Sequence, residues 1–198
     1  MTQEFRPFTK IARLSREIVV TEKIDGTNAS VFIGEDGEFY TGSRTRWVTP
    51  EDDNYGFSRW CWEHKDELLT LGAGHHFGEW WGRGINRNYG LTERRFSLFN
   101  VHRWCLHGQE PVVTPSKDPK SAPHVQDVLP ACVGLVPVLH RGLFDTAMID
   151  ALIESMREQG SVAEPGFTNP EGVVVFHIAG NVLFKKTLEK DHEWKGRK

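Results

Sequence analysis

The sequence predicts an α+β fold, antiparallel sheets with helices packed outside them, and three observations carry that expectation. Strand-length apolar runs crowd the first half, two of them joined by a hairpin-type loop; two segments carry a helical period; and a further strand pair lies near the C-terminal end. With 198 residues, 38% of them hydrophobic and 26% charged, the chain fits one globular domain spanning 1–198.

Taken in order, Glu17 to Glu22, Ala29 to Ile33 and Glu38 to Thr41 read as strands, the last two joined by Gly34-Glu35-Asp36-Gly37. Phe57, Trp60, Cys61, His64, Leu68 and Leu71 recur at helical spacing with Gly72 just beyond, which predicts an amphipathic helix over 57–71. Two aromatic runs, His76 to Trp81 and Phe96 to Val101, have the length of buried strands. Five of the ten prolines fall within 108–131, a density that suits an excursion or lid better than a sheet interior. Phe144, Ala147, Met148, Ala151, Leu152, Ser155 and Met156 form the apolar stripe of a second helix, which stops at Gly160. Gly172 to Ile178 and Val182 to Lys185 then pair around Ala179-Gly180, and 188–198 reads as polar surface.

No apolar run approaches the roughly 18 residues of a membrane span, and the first residues, Met1-Thr2-Gln3-Glu4-Phe5-Arg6, lack an apolar stretch behind their charges. The sequence therefore reads as soluble and untargeted. Cys61, Cys105 and Cys132 are odd in number and widely spaced, which excludes a disulfide framework and suits a reducing cytoplasm. The net charge of −3 excludes a nucleic-acid binder that works by global positive charge. Local basic patches exist: Arg83, Arg87, Arg94, Arg95 and Arg103 stand against Glu93 alone within 83–103, and 185–198 holds six Lys/Arg against three acids.

The most informative stretch is Thr21-Glu22-Lys23-Ile24-Asp25-Gly26-Thr27-Asn28. A lysine fixed at a strand end beside a tight Asp-Gly turn provides what a covalent lysine nucleophile requires, a held amine with backbone close enough to admit a phosphate. Standing alone, such a block is more often an exposed lysine beside an ordinary Asp-Gly turn, since short motifs match by accident.

The block resembles the first motif of the nucleotidyltransferase superfamily, which contains ATP-dependent DNA and RNA ligases and mRNA capping enzymes. Its Glu-Lys-x-x-Gly-Thr-Asn form is similar to that of the RNA-ligase branch, as in phage nick-sealing RNA ligases. Downstream, Ser43-Arg44 resembles the family's second element, an arginine near the reactive centre. Phe77-Gly78-Glu79-Trp80 is similar to the motif whose glutamate holds the ribose hydroxyls, and Phe96 to Val101 resembles the element whose aromatic, here Phe99, stacks on the purine. Pro170-Glu171-Gly172-Val173-Val174 resembles the motif whose glutamate works with the metal, and Leu183-Phe184-Lys185-Lys186-Thr187 resembles the lysine-bearing motif. Six matches in family order cover nearly the whole chain, from residue 22 to 187. One departure is the adjacency of the two lysines, where the family presents Lys-x-Lys. Side chains alternate faces along a strand, so Lys185 is favoured for the phosphates, with Thr187 on its face and Lys186 in reserve.

The resemblance implies an ATP-grasp-like nucleotidyltransferase adenylation domain whose sheets enclose a nucleotide cleft. It implies ATP-dependent joining of RNA 5′-phosphate and 3′-hydroxyl ends through a lysyl-AMP intermediate, with ATP and Mg²⁺ or Mn²⁺ as cofactors. Lys23, Arg44 and Lys185 are then catalytic; Glu22, Ile24, Asn28, Glu79, Phe99, Glu171 and Lys186 join them around the nucleotide; and Glu171 holds the metal. Free lysine titrates at about 10.4, and Arg44 and Lys185 would lower that value as cationic neighbours and neutralise the triphosphate once it is bound. Eleven residues follow Thr187, so no OB-fold and no helical C-terminal domain are expected, and a partner protein is a possible source of the missing part. The alternatives are a DNA ligase, a capping-type GMP transferase and a nucleotide-binding module without catalysis.

Each residue also has a plainer reading: Glu79 as a surface acid, Phe99 as core, Glu171 as a turn residue. His102, Cys105 and His107 have zinc-like spacing but no fourth ligand nearby, and neither a GxGxxG nor a GxxxxGK[ST] motif is present.

Overall fold

The computed structural model describes residues 4–116, 118, 120–189 and 191. The chain begins with β1 (Glu17–Lys23), β2 (Thr27–Ile33), β3 (Phe39–Ser43) and the short β4 (Trp47–Val48), followed by α1 (Phe57–Glu63) and α2 (Lys65–Leu69). Next come β5 (Gly74–Gly82), β6 (Arg94–Leu98) and β7 (Trp104–Cys105). The proline-rich stretch contributes β8 (Val113–Thr114), β9 (His124–Val125) and β10 (Asp127–Val128). The chain then returns through β11 (Val133–Leu135), β12 (Val138–Leu143), α3 (Thr146–Gln159), β13 (Gly172–His177) and β14 (Val182–Thr187).

Two sheets dominate: a six-stranded one in the order β11-β6-β5-β2-β3-β4 and a four-stranded one in the order β12-β1-β13-β14. Pairing is antiparallel within them except at β11–β6, and the small β10–β7 pair is parallel too. Both exceptions bring strands together across the proline-rich excursion, a connection long enough for a parallel return, so the expectation of antiparallel sheets holds for every pair of the two large sheets except β11–β6.

The six-stranded sheet buries Ala29, Val31, Ile33, Trp80 and Phe96 against Phe57, Cys61, Leu68 and Leu71 of the helical segment. The single helix expected over 57–71 is broken at His64 (φ −109°, ψ 20°). There the Trp60 carbonyl accepts from both the His64 backbone N–H at 3.1 Å and His64 Nδ1 at 2.9 Å, a side-chain competitor that bends the helix between its two halves. α3 packs on the four-stranded sheet through Ile149, Ile153 and Met156, over Ile18, Val20, Val173 and Val175. Asp145 caps its N-terminus and the stop at Gly160 matches expectation, but Ala147, Met148 and Ala151 face solvent. The isoleucines repeat at the same helical spacing one residue later and bury more apolar surface than alanines, which rotates the stripe.

A third cluster, Val19, Ile24, Trp81, Tyr89, Val101 and Val136, joins the two sheets. Because Val19 and Trp81 share it, the face of β1 carrying Val19, Thr21 and Lys23 lies toward the face of β5 carrying Trp81 and Glu79. The strand expected over Phe96 to Val101 ends at Leu98: Phe99 N–H makes the last ladder bond, to the Phe77 carbonyl, and the chain then turns tightly, Val101 N–H donating to the Phe99 carbonyl, which leaves Phe99 exposed. No helix among the described residues is long and apolar enough to cross a membrane.

Candidate active site

Lys23 is the last residue of β1, and its position follows from alternation: Ile18, Val20 and Glu22 turn to α3, and Val19, Thr21 and Lys23 turn to the other sheet. Lys23 Nζ meets Glu171 Oε2 at 2.5 Å, with both side chains about one-fifth to one-quarter exposed. Glu171 immediately precedes β13, whose Gly172 pairs with Lys23, so a separation of 148 residues closes into one contact through strand register.

Beyond Lys23 the chain turns through Asp25 and Gly26. The Gly26 N–H donates to Glu79 Oε1 at 3.1 Å. A Cβ on Gly26 would stand 2.4 Å from the Trp80 carbonyl oxygen and 2.7 Å from Trp81 Cβ, so glycine is required here by the approach of β5 rather than by an open phosphate path. Burial pushes the Glu79 carboxyl up to about 7, against the opposing pull of Lys23 and the Gly26 N–H. Asn28 is paired directly with Glu79 across the β2–β5 ladder.

β14 separates its two lysines. Lys185 pairs with Val174, which pairs with Thr21, so Lys185 is on the face of Thr21 and Lys23; Thr187 shares that face opposite Gly172. Lys186 faces α3 and forms an ion pair with Asp150. The structure thus brings Lys23, Asn28, Glu79 and Glu171 together, with Lys185 on the same side of its sheet.

Three other expected residues are placed differently. Glu22 is buried on the opposite face, where its carboxylate accepts from the Ser161 hydroxyl and from the N–H groups of Val162 and Ala163 at 2.6–2.8 Å. It secures the segment after α3. The Ile24 side chain belongs to the inter-sheet core. Arg44 lies exposed in the turn between β3 and β4 and takes part in none of the ion pairs of the described residues; the charged group that meets Lys23 is an anion, Glu171.

A second set of residues holds the Asp25-Gly26 turn and was missed in the sequence. Arg87 Nε donates to Asp25 Oδ2 at 2.9 Å, Asn86 Nδ2 to Asp25 Oδ1 at 3.0 Å and to the Gly26 carbonyl, and Asp25 N–H to the Tyr89 hydroxyl at 2.9 Å. Asn86, Asn88 and Tyr89 all have positive φ, so the 83–93 connection is strained where it grips the turn. The available signal was the basic run itself, which needed an acidic partner. Arg95 pairs with Glu93 and Glu164, Arg103 with Asp127, and Arg94 donates to the Arg83 and Tyr55 carbonyls, so most of this patch is engaged within the fold. Most of the second basic run, 190 and 192–198, lies outside the described residues.

The sequence profile of the RNA ligase family matches residues 16–187, a span containing every side chain of the site. The chain belongs to the RNA ligase family. Among solved structures, this family member is similar to Naegleria gruberi RNA ligase. A lysine-to-methionine mutant of that protein with AMP and Mn superposes with a TM-score of 0.57 at 18% identity, over 91% of this chain and 53% of the other. An arginine-to-alanine mutant with ATP and Mn gives 0.54 at 19% identity, over 89% and 51%. The same enzyme with PPi gives 0.54 at 18%, over 87% and 50%. At these identities the likeness establishes the shared fold, and the chain spans about half the length of the structures it matches. A search of curated proteins finds no sequence relative.

Proposed function

We propose that this chain is an ATP-dependent RNA ligase whose Lys23 becomes covalently adenylylated. The observation that carries the reading is the meeting of Lys23, Glu171 and Glu79 at one strand end beside Gly26, inside a chain of the RNA ligase family. The N. gruberi structures with ATP, AMP and Mn support the choice of nucleotide and of a divalent cation.

In this reading ATP lies between the two sheets, its purine on Phe99 and its ribose hydroxyls toward Glu79. The unprotonated Lys23 Nζ attacks the α-phosphorus. An N–P bond forms, the bond to the bridging oxygen breaks, pyrophosphate leaves, and the amine gives up its proton. Lys185, with Arg44 reaching in from its turn, balances the phosphate charge. AMP then passes to an RNA 5′-phosphate, and a 3′-hydroxyl displaces it.

Among the described residues no group of three or more His, Cys, Asp or Glu forms a protein-only metal cage. The Glu171 carboxylate fits Mg²⁺ or Mn²⁺, which takes one or two protein carboxylates together with phosphate oxygens and water. Glu171 would hold it, and its chemistry there is neutralisation of phosphate charge.

Incubation with labelled ATP and Mg²⁺ followed by denaturing electrophoresis tests the reading. Wild type should carry AMP covalently, and Lys23→Ala and Lys23→Arg should not, because a guanidinium stays protonated. Label retained by Lys23→Ala would overturn it. Sealing of nicks that differ only in a ribose or deoxyribose at the 3′-terminal nucleotide tests RNA preference, since the 2′-hydroxyl is what distinguishes the sugars.

A further inference from the structure

The face of the six-stranded sheet turned away from α1 and α2 carries an aromatic ladder that the chemistry above does not use. Strand register lays it out in rows. Glu79 and Asn28 form the row nearest Lys23; Phe77, Ser30, Gly42 and Trp47 form the next; His75, Phe32 and Tyr40 form the third. Paired residues share a face, so the aromatics continue the Glu79–Asn28 row outward. His75 and Phe77 have ring centroids 4.0 Å apart at 30°, Trp47 stacks on His75 at 5.6 Å and 25°, and Tyr40 and Phe32 lie 5.5 Å and 6.2 Å from Trp47. Phe77, Trp47 and Tyr40 remain 49%, 51% and 44% exposed. Large apolar rings are normally buried, so a contiguous set left open on one sheet face marks a binding surface.

Gly42 makes the arrangement possible. A Cβ there would lie 2.7 Å from Ser30 Oγ and 3.3 Å from the Trp47 ring, which is seated directly over the glycine. His75 adds a neutral ring: burial lowers its pKa, and its Nε2 shares a hydrogen bond with Ser30 Oγ at 3.0 Å. At the rim beside Trp47, Arg44 is exposed and outside the ion pairs of the described residues, while Arg46 is held by both oxygens of Asp52.

We propose that this face is a stacking platform for unpaired bases of a single-stranded RNA whose end is delivered to Lys23. Three features select that occupant. The rows run in register toward the site where an RNA end must arrive, the rings are open on one sheet face that bases can lie against, and Arg44 stands where a backbone phosphate would follow. The inference rests on the reading of Lys23 as the adenylylated nucleophile, and it adds how the polynucleotide is held.

The test uses the whole chain and a 5′-phosphorylated, fluorescein-labelled rA 10-mer, read by anisotropy, with self-adenylylation measured in parallel. Trp47→Leu and Tyr40→Leu should each weaken binding about 5- to 100-fold, the effect of losing one stacked base, while Trp47→Phe restores most of it. Covalent AMP on Lys23 should stay at the wild-type level in all three variants. A platform that instead docks another protein segment would tolerate leucine, so wild-type oligonucleotide affinity in Trp47→Leu overturns the proposal, as does a wild-type chain that does not bind the 10-mer. Absence of the AMP label in wild type overturns the nucleophile reading separately, since oligonucleotide binding needs no ATP.

Discussion

The two sheets bring functional groups to the same place by opposite means. The four-stranded sheet presents charge in pairs: Lys23 against Glu171 on one face, Lys186 against Asp150 on the other. The six-stranded sheet presents a carboxylate without a cationic hydrogen-bond partner, Glu79, held by one backbone N–H and raised to about 7 by burial, in front of a row of open aromatics. Paired, part-exposed charges lose little stability on being placed in a site, whereas a lone desolvated carboxylate lowers the stability of the folded state. In the proposed reading, the difference assigns reaction to the groups of the first sheet's Lys23 face and binding to those of the second sheet.

Substitutions on the reactive side should have the largest effect. Glu171→Ala and Lys185→Ala are each expected to slow adenylylation of Lys23 by about 10²-fold or more, the scale of losing one strong electrostatic contact to a developing charge. Single-turnover labelling checks this, and near-wild-type rates in both would dissolve the division between the sheets.

Glu79 sharpens the contrast through pH. Its folded-state value, about 7, lies above the ordinary 4.5, so the folded protein binds this proton more tightly than the unfolded chain. Relative to the ionised group, the protonated carboxyl contributes up to about 3 kcal/mol to stability, fully present below 4.5 and lost as pH rises through 7, so the ionised form is the destabilising one at pH 8. Glu79→Gln should therefore raise the melting temperature at pH 8, match wild type at pH 4, and weaken ATP binding at pH 8. Denaturation at the two pH values, with nucleotide titration, measures both halves.

Gly26→Ala probes the seam where the sheets meet. Its Cβ would collide with the Trp80 carbonyl, and overpacking of this kind costs about 1–3 kcal/mol, with the Gly26–Glu79 hydrogen bond displaced as well. Urea denaturation should show the loss. The smallest effect belongs to Lys186→Ala, which removes a largely exposed ion pair and should change stability by less than about 1 kcal/mol and adenylylation not at all. A crippling loss of labelling in this variant would show that the face assignment along β14 is wrong.

What the sequence by itself determined is whatever has a short period. Alternation separated Lys185 from Lys186, helical spacing located α3 together with Gly160, and the Lys23–Asn28 block marked the strand end and turn on which the candidate site is built. Tertiary structure alone decided which neighbours those residues keep. Glu22, adjacent to Lys23, is taken by the 161–163 segment; Asp25 is claimed by Asn86, Arg87 and Tyr89 across more than 60 residues; the strand before Phe99 ends because the chain turns there, Val101 N–H donating to the Phe99 carbonyl. Local patterns follow from backbone geometry, which repeats every two or 3.6 residues. Hydrogen-bond partners brought together by strand register and loop strain leave no such period, so only the folded chain reveals them.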